Sequence, residues 1–255
     1  MSGAELAAAN YIESFVGLSD VTSGGRWHRG DGLVLTALPV EAAAWNACFV
    51  TDAVTDARAV VDACREFFGS SPYSLRVPVA LADPFGDAGA DLGIDWVMNF
   101  PAMNLDVAAV GIPRPPGDLD IRDVHDCAEI EEFLAANAAG FGAPPEMLAA
   151  ALRAGITHAP NIVAFSGTCD GRVVATSIVV VAAGAAGVYG VATVPEYRRR
   201  GFGEALTWAA VEAGVARGCD VATLQSSDSG RSVYERMGFR VVLEYRRFDA
   251  PAQRA

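Results

Sequence analysis

The chain has 255 residues, 52% of them hydrophobic and 20% charged, and this composition excludes an intrinsically disordered protein. Its formal net charge of −12 disfavours a nucleic-acid partner, because cationic contacts to phosphates supply most of the non-specific affinity for nucleic acids. An acidic surface would attract cationic substrates such as amines, or would simply keep an apolar-rich chain in solution.

The first half of the chain, residues 1–112, alternates helical and strand patterns. Its clearest element is Ala57–Phe68, where apolar residues recur at helical spacing and predict an amphipathic helix. The predicted elements are helices over Ala4–Phe15, Ala57–Phe68 and Asp91–Val97, and strands over Leu33–Leu38, Cys48–Val50, Leu75–Leu81 and Ala102–Val107.

A proline-rich segment, Gly111–Gly117, divides the chain. Its prolines at positions 113, 115 and 116 cannot continue a helix or a central strand, so the segment is typical of a stiff linker. We therefore predict one domain over residues 1–112, a linker over residues 113–118 and a second domain over residues 119–255.

The second half also mixes helices and strands. Asp170 and Gly171 form a dipeptide that favours a tight hairpin turn between two apolar runs. The predicted strands are Leu119–Val124, Ile162–Ser166, Arg172–Val181, Val188–Val194, Val221–Leu224 and Arg240–Phe248, and the predicted helices are Ala128–Ala139, Pro145–Ala154, Gly203–Arg217 and Ser229–Arg236.

An uncharged stretch, Val173–Pro195, is long enough to span a bilayer. Its glycines and β-branched residues instead predict two buried strands joined by a turn at Gly184–Gly187. The start of the chain, Met1–Phe15, lacks the basic region of a signal peptide. We expect a cytoplasmic protein with no membrane partner.

The cysteines and histidines show no metal-ligand spacing. The five cysteines are scattered and form no C-x-x-C, which favours free thiols in a reducing compartment. The three histidines, His28, His125 and His158, are likewise isolated from one another. We therefore expect no metal ion.

One loop carries the strongest functional pattern. The strand Val188–Val194 leads into a loop with Arg198, Gly201 and Gly203 spaced as R-x-x-G-x-G, and the loop opens a helix. Such a loop can direct several backbone N–H groups at one point, where the helix N-terminus adds partial positive charge suited to a pyrophosphate. A nucleotide-triphosphatase loop is excluded because the chain has no lysine, and a dinucleotide loop is disfavoured by Leu206, which stands where a small residue is needed.

With Tyr234 and the pair Gly238–Phe239 following at a suitable distance, Val188–Phe239 resembles the GCN5-related N-acetyltransferase (GNAT) family. The resemblance covers Leu119–Phe248. It implies an α/β (α+β) GNAT fold, a mixed central sheet flanked by helices. The first half repeats the order strand, helix, strand, helix, strand of the second part of such a domain.

The first half lacks the phosphate loop, because Asp52 and Asp56 precede its amphipathic helix and would repel a pyrophosphate. We interpret it as a second, smaller and degenerate GNAT-like domain in tandem with the first, without a cofactor site. An unrelated α/β cap domain is the alternative.

The resemblance also implies the site residues. In the family, an amine attacks the thioester of acetyl-CoA, and Tyr234 would donate a proton to the departing coenzyme A thiolate. Ser229, after the next strand, is a cofactor candidate that could equally serve as a turn or helix-capping residue. The implied cofactor-binding residues are Ala192, Thr193, Val194, Arg199, Arg200, Gly201, Phe202, Gly203, Glu204 and Ser229.

No general base is evident. Many family members use a carboxylate on the strand that enters the loop, whereas Val188–Val194 offers only Tyr189. Glu132, Glu196 and Asp228 are candidates without a known geometry. A water chain, or an acceptor amine of low pKa, would need no dedicated base.

The resemblance therefore implies an acyltransferase, an acetyl-CoA-dependent N-acetyltransferase that acetylates an amine of a small molecule or a protein by direct attack in a ternary complex. The alternative is a non-catalytic acyl-CoA sensor or scaffold. The expected partner is the amine acceptor, in a pocket between the domains. A second copy of the chain, in a homodimer, is the alternative to a monomer.

Overall fold

The computed structural model describes residues 1–252, apart from the side chains of residues 87, 88, 90, 148, 150 and 151. The strands are β1 (Arg26–Gly30), β2 (Leu33–Ala37), β3 (Ala47–Val50), β4 (Tyr73–Pro78), β5 (Asp95–Asp106), β6 (Asp120–Asp123), β7 (Ile162–Cys169), β8 (Arg172–Ala182), β9 (Ala185–Thr193), β10 (Val221–Gln225) and β11 (Arg240–Ala250). The helices are α1 (Gly3–Val21), α2 (Ala57–Phe68), α3 (Asp83–Leu92), α4 (Cys127–Phe141), α5 (Pro145–His158), α6 (Phe202–Val215) and α7 (Asp228–Met237).

All the strands belong to one 11-stranded mixed sheet in the order β1-β2-β3-β4-β11-β5-β10-β9-β8-β7-β6. Helices cover both faces, because alternate residues of the strands point to opposite sides. Val34 and Phe49 face α1, whereas Leu33 and Cys48 face α2 on the other side. Helices α4 and α5 share the face of α1, and α6 and α7 lie on the face of α2 and α3. The predicted α/β class is confirmed.

The two halves of the chain exchange strands at the centre of the sheet. Strand β5, from the first half, lies between β10 and β11 and pairs antiparallel with both. Strand β11, from the end of the chain, lies between β5 and β4 and is antiparallel to both. The proline-rich segment thus separates two sequence halves that share one sheet.

Most predicted elements are confirmed, including α2 at its predicted bounds. The predicted helix over Asp91–Val97 is wrong: α3 ends at Leu92, and β5 begins at Asp95. The glycines of α3 lowered its apparent helix propensity, although Pro84 in its first turn is a helix-start signal. Strand β1 was missed because it lies at the sheet edge with polar, exposed residues and no buried face.

The uncharged stretch forms the two strands β8 and β9, as predicted. The turn between them is shorter than predicted: it consists of Ala183 and Gly184, with φ of 51° and 81°, and β9 begins at Ala185. Positive φ at both central residues is the geometry of a two-residue hairpin. None of the helices in the described part of the chain is both long and apolar enough to traverse a bilayer.

A buried side chain of helix α1 hydrogen-bonds to the sheet. Asn10 is fully buried, and its Nδ2 lies 3.0–3.2 Å from the carbonyl oxygens of Val180, Ala182 and Ala185. Its Oδ1 accepts a hydrogen bond of 2.6 Å from the Tyr189 hydroxyl. A residue of the first half thereby satisfies backbone groups at the β8–β9 hairpin, which α1 crosses.

Replacing Asn10 with alanine is expected to lower the free energy of unfolding by about 3 kcal/mol, because the Tyr189 hydroxyl and the hairpin carbonyls lose a buried partner. Urea unfolding followed by circular dichroism would measure the change. Asn99→Ala, at an exposed position of β5, is the control and should cost less than about 0.5 kcal/mol. Equal effects of the two substitutions would contradict this role of Asn10.

Candidate functional site

Two parallel strands diverge at the centre of the second half. Strands β9 and β10 pair only at Ala186 with Ala222 and at Gly187 with Thr223, within the described part of the chain. Beyond these pairs, the end of β9 separates from the end of β10 and leaves a wedge between them. The wedge exposes strand edges whose backbone groups can pair with an extended ligand.

A bulge in β9 borders this wedge. The β8–β9 register shifts where Thr176 faces Ala192 but Ile178 faces Tyr189. At the bulge, Gly190 has a φ of 58°, a conformation that strains residues with a side chain. Its carbonyl accepts hydrogen bonds from Asn137 Nδ2 at 2.8 Å and Thr176 Oγ1 at 3.1 Å. The bulge is therefore held by α4 and β8 together.

The alternation of N–H groups along β9 directs a backbone donor toward the wedge. The N–H of Val194 donates to the Val174 carbonyl on β8 at 2.9 Å, so it is occupied within the sheet. Because N–H groups alternate in direction along a strand, the N–H of Thr193 points away from β8, toward the wedge. Ala192, next to it, is buried. Of these three predicted residues, Thr193 offers the donor.

The predicted phosphate loop leads from the end of β9 to α6. Arg199 and Gly201 adopt positive φ values of 64° and 79°, and Gly201 is the N-cap of α6 without a side-chain hydrogen bond. The first bond of the helix runs from Ala205 N–H to Gly201 O at 3.0 Å. The N–H groups of Phe202, Gly203 and Glu204 therefore have no helical acceptor, which is the arrangement that binds anions.

The corresponding helix of the first half is capped. Strands β3 and β4 also run parallel, as β9 and β10 do, and α2 follows β3. At its N-terminus, the Asp56 side chain accepts hydrogen bonds from Arg58 N–H at 2.9 Å and Ala59 N–H at 3.4 Å. These donors are occupied by a carboxylate, whereas those of α6 are left free.

Two arginine side chains of the loop bind to neighbouring segments of the protein. Arg198 donates to the carbonyl oxygens of Thr193 at 3.1 Å and Gly140 at 2.7 Å, which joins the end of α4 to the end of β9. Arg200 forms an ion pair with Asp118, and its hydrogen bond lowers the pKa of that carboxyl. Arg200 also lies 4.7 Å from the centre of the Phe202 ring. Both side chains are thus engaged with other groups of the protein, and their predicted contribution to an anion site stays a prediction.

Tyr234, the predicted acid, lies on α7 beside the wedge. Its ring contacts Phe239 edge to face, with 5.9 Å between the ring centres. Burial raises the pKa of its hydroxyl, so the phenol stays protonated at neutral pH. Ser229 lies one turn earlier, where its hydroxyl is 3.1 Å from that of Ser227, the N-cap residue of α7. Tyr234 and Ser227 line the cavity described next.

A cavity of about 540 Å³ connects the wedge with the face of the first half. At one end it is lined by Gly190, Gln225 and Tyr234, and at the other by residues of α1 and β4. Both side-chain polar atoms of Gln225 are buried and have no partner among the described residues, which is unusual in a folded protein and marks a place where a ligand can bind. The cavity lies between the two halves, where the acceptor pocket was predicted.

The general-base candidates do not reach this cavity. Among the described residues that line it there is no aspartate or glutamate, so Glu132, Glu196 and Asp228 all lie elsewhere. Tyr189 does line it, but its hydroxyl donates to Asn10, and burial raises its pKa. Among the side chains that the structure describes, no group of three potential metal ligands comes together.

Sequence reasoning missed two arginines of the cavity, Arg76 on β4 and Arg247 on β11. Arg76 alternates along its strand with the core residues Leu75 and Val77, so the pattern predicts a solvent-facing side chain. The structure buries it instead, with 4% of its surface exposed, because α1 covers that face. The only available signal was an arginine within a strand of otherwise apolar and small residues.

Comparison with known proteins agrees with this geometry. Residues 127–239 match the family described as Acetyltransferase (GNAT) family. A GCN5-related N-acetyltransferase from Kribbella flavida has a similar structure, with a TM-score of 0.71 at 20% identity, covering 98% of this chain and 96% of that one. One from Sphaerobacter thermophilus gives a TM-score of 0.61 at 15% identity, covering 89% and 82%.

A tandem GNAT protein from the clavulanic acid biosynthesis pathway also aligns, with a TM-score of 0.58 at 14% identity, covering 88% of this chain and 79% of that one. At such low identities these likenesses concern the fold, and they confirm the predicted GNAT fold in a tandem arrangement. No curated protein matches the sequence.

Gly190→Ala is expected to lower the free energy of unfolding by about 2 kcal/mol, because an L-residue is strained at this φ and its Cβ would lie 3.3 Å from Ile178. Gly171→Ala is the matched control: it has a φ of 74° but open space around its Cβ, so only about 1 kcal/mol is expected. Chemical denaturation of both variants compares the costs, and equal values would show that packing at the bulge does not matter.

Proposed function

We propose that the protein moves an acetyl group from acetyl-CoA to an amine, on the premise that residues 127–239, which match the acetyltransferase (GNAT) family, form a domain of that family. The observation that carries the proposal is the uncapped N-terminus of α6 beside the wedge between β9 and β10. A negatively charged pyrophosphate fits the first feature, and an extended pantetheine chain fits the second. Because the helix N-terminus and the wedge are adjacent, they suit one ligand that contains both a pyrophosphate and a pantetheine chain.

The backbone donors define how acetyl-CoA would bind. The free N–H groups of Phe202, Gly203 and Glu204 would hold the pyrophosphate. The arm of the ligand would lie along the end of β9, where the N–H of Thr193 faces the wedge. The thioester would then enter the cavity beside Gly190 and Tyr234. The absence of capping side chains at α6 leaves the donors free for this role.

The reaction proceeds by direct attack. The neutral amine nitrogen bonds to the thioester carbonyl carbon, the carbon–sulfur bond breaks, and the electron pair leaves on sulfur. The Tyr234 hydroxyl donates its proton to the departing thiolate, and the proton lost by the amine restores the phenol through water. Because burial raises the pKa of Tyr234, the phenol is fully protonated at neutral pH and ready to act as the acid.

A non-catalytic acyl-CoA sensor is the second candidate. The observation that favours it is the lack of any carboxylate among the described residues that line the cavity. A sensor would bind acetyl-CoA through the same loop but would release no coenzyme A when amines are added. A thiol-release assay with a panel of primary amines separates the two candidates.

Gly203→Glu is expected to weaken acetyl-CoA binding by about 100-fold or more in calorimetric titration, because a carboxylate would stand where the pyrophosphate binds. A Cβ at Gly203 meets only Thr193 Oγ1 at 3.5 Å and Val191 Cγ1 at 3.8 Å, and acidic residues suit a helix N-terminus, so the variant should fold.

Gly17→Glu supplies the control, because it adds the same charge to α1 at a position with no atom within 4 Å of the new Cβ. It should bind acetyl-CoA as the wild type does. Absence of acetyl-CoA binding by the folded wild type would reject both candidate functions.

Tyr234→Phe is expected to lower kcat for coenzyme A release by about 100-fold with little change in KM for acetyl-CoA, because the lost group acts in the transition state. Because burial raises the pKa of Tyr234, its hydroxyl keeps the proton at pH values up to its ordinary pKa of about 10. Wild-type activity should therefore not fall below about pH 10 through ionisation of Tyr234. Tyr197→Phe, at the loop, is the control. An unchanged kcat in Tyr234→Phe would remove Tyr234 from the mechanism.

A further inference from the structure

The cavity contains a buried arginine that has no counter-ion in the part of the chain that the structure describes. Arg76 has 4% of its surface exposed, and its Nη2 donates to the carbonyl oxygen of Ala44 at 2.5 Å. Its Nε and Nη1 have no partner among the described residues. A guanidinium has five N–H donors, so most of the hydrogen-bonding capacity of Arg76 is unused.

Aromatic rings surround the guanidinium. Its central carbon lies 4.2 Å from the ring centre of Phe15, 5.1 Å from that of Tyr11 and 5.2 Å from that of Phe49. Ring faces attract a cation, but they do not neutralise it. Burial lowers the pKa of Arg76, yet arginine starts from so high a value that it keeps its charge at neutral pH.

The neighbouring charges do not compensate for Arg76 either. Arg247 lies directly opposite it in the β4–β11 pairing, and its own charge is matched by Asp249, with hydrogen bonds of 2.6 and 2.7 Å. The chain has 31 acidic residues, yet the described lining of the cavity includes two arginines and no carboxylate. One net positive charge therefore remains at this end of the cavity.

An unpaired charge in a largely apolar cavity destabilises the protein unless something binds to it. A carboxylate is the ligand that a guanidinium matches best, because two N–H groups can bond its two oxygens. The surrounding walls are suited to an apolar or aromatic body, since they include Phe15, Trp45, Met98 and Phe100.

We propose that Arg76 binds the carboxylate of the acceptor, so that the acetylated substrate is an amino-acid-like molecule with an apolar body, an amine and a carboxylate. The assignment of the amine rests on the acetyltransferase function proposed above, whereas the carboxylate site rests on Arg76 alone. The first half of the chain, which supplies Arg76, Tyr11 and Phe15, thereby forms the acceptor-binding half. Amines that lack an anionic group are repelled by the same charge, which gives specificity.

The test uses a matched pair of ligands, 3-phenylpropanoate and the neutral 3-phenylpropanamide, titrated into the full chain by calorimetry. The wild type should bind the carboxylate at least tenfold more tightly than the amide. Arg76→Met should lose that preference, because the apolar side chain keeps the length of the stem and removes the charge. Arg58→Met, at an exposed position of α2, should behave as the wild type does.

Thermal unfolding separates a binding role from a structural one. If Arg76 serves a ligand, Arg76→Met in the absence of ligand should have a higher Tm, by about 3 °C, because a buried unpaired charge has been removed. If the guanidinium mainly supports the fold through Ala44 and the aromatic rings, Tm should fall, and the proposal would be rejected. If Arg76→Met does not fold, the proposal is rejected as well. Arg76→Lys then shows whether a positive charge at this position is enough for folding.

The same measurements distinguish failure of this proposal from failure of the acetyltransferase function. A wild type that binds both ligands equally overturns the carboxylate site, whether or not acetyl-CoA binds. A wild type that prefers 3-phenylpropanoate but does not bind acetyl-CoA supports the carboxylate site and rejects the transferase. In a thiol-release assay, phenylalanine should react at least tenfold faster than phenylalaninamide, and the reverse order would overturn the proposal.

Discussion

The antiparallel pairing of β5 with β11 is the constraint on which the rest of the structure depends. The two strands pair from Asp95 with Asp249 to Asn104 with Arg240, and each also pairs with a strand of the other half of the chain. The register is irregular only between Val241 and Leu243 and between Arg247 and Phe248. Because side chains alternate along the regular parts of a strand, a one-residue shift there would turn inward residues to the other face. The pairing therefore fixes how the face that carries Arg76 lies relative to the wedge at β9 and β10.

Helix α1 lies across the sheet and contacts both halves of the chain. Its Asn10 bonds the β8–β9 hairpin of the second half, while the Tyr11 and Phe15 rings pack edge to face on Phe49 of the first half. The helix thus covers the junction between the halves and encloses the cavity on the face that it shares with α4 and α5. An element from the start of the chain thereby closes a site whose proposed acid, Tyr234, lies near the end.

Two positively polarised groups of the candidate site have N–H donors that lack a partner among the described residues. One is the uncapped N-terminus of α6, and the other is the guanidinium of Arg76. Neither arrangement favours stability, since a capping residue would satisfy the first and an acidic neighbour the second. The capped N-terminus of α2, with Asp56, shows that this chain caps the equivalent helix where no anion is expected. Such local departures from the rules of stability are typical of binding sites.

The sequence by itself determined the local elements and the phosphate loop. Helix α2 follows from its apolar periodicity, and strands β8 and β9 follow from β-branched residues interrupted by glycines. The loop from Arg198 to Gly203 was recognisable because its chemistry needs neighbouring residues. The failures were also local: β1 is exposed at the sheet edge, and the glycines of α3 weakened its helical signal. In each of these cases, the prediction depended only on residues that are close together in the sequence.

Only the tertiary structure decided how the halves share a sheet and what the cavity contains. The exchange of β5 and β11 depends on pairing between segments far apart in the chain, which periodicity does not encode. The alternation of Arg76 with Leu75 and Val77 places it on the opposite face of its strand, but this pattern does not show what covers that face. Its burial follows from α1 lying across β4, and the missing counter-ion becomes evident only when all neighbours are known. The sequence shows which residues carry a charge, but only the packed structure shows which of those charges have a neighbour of opposite sign.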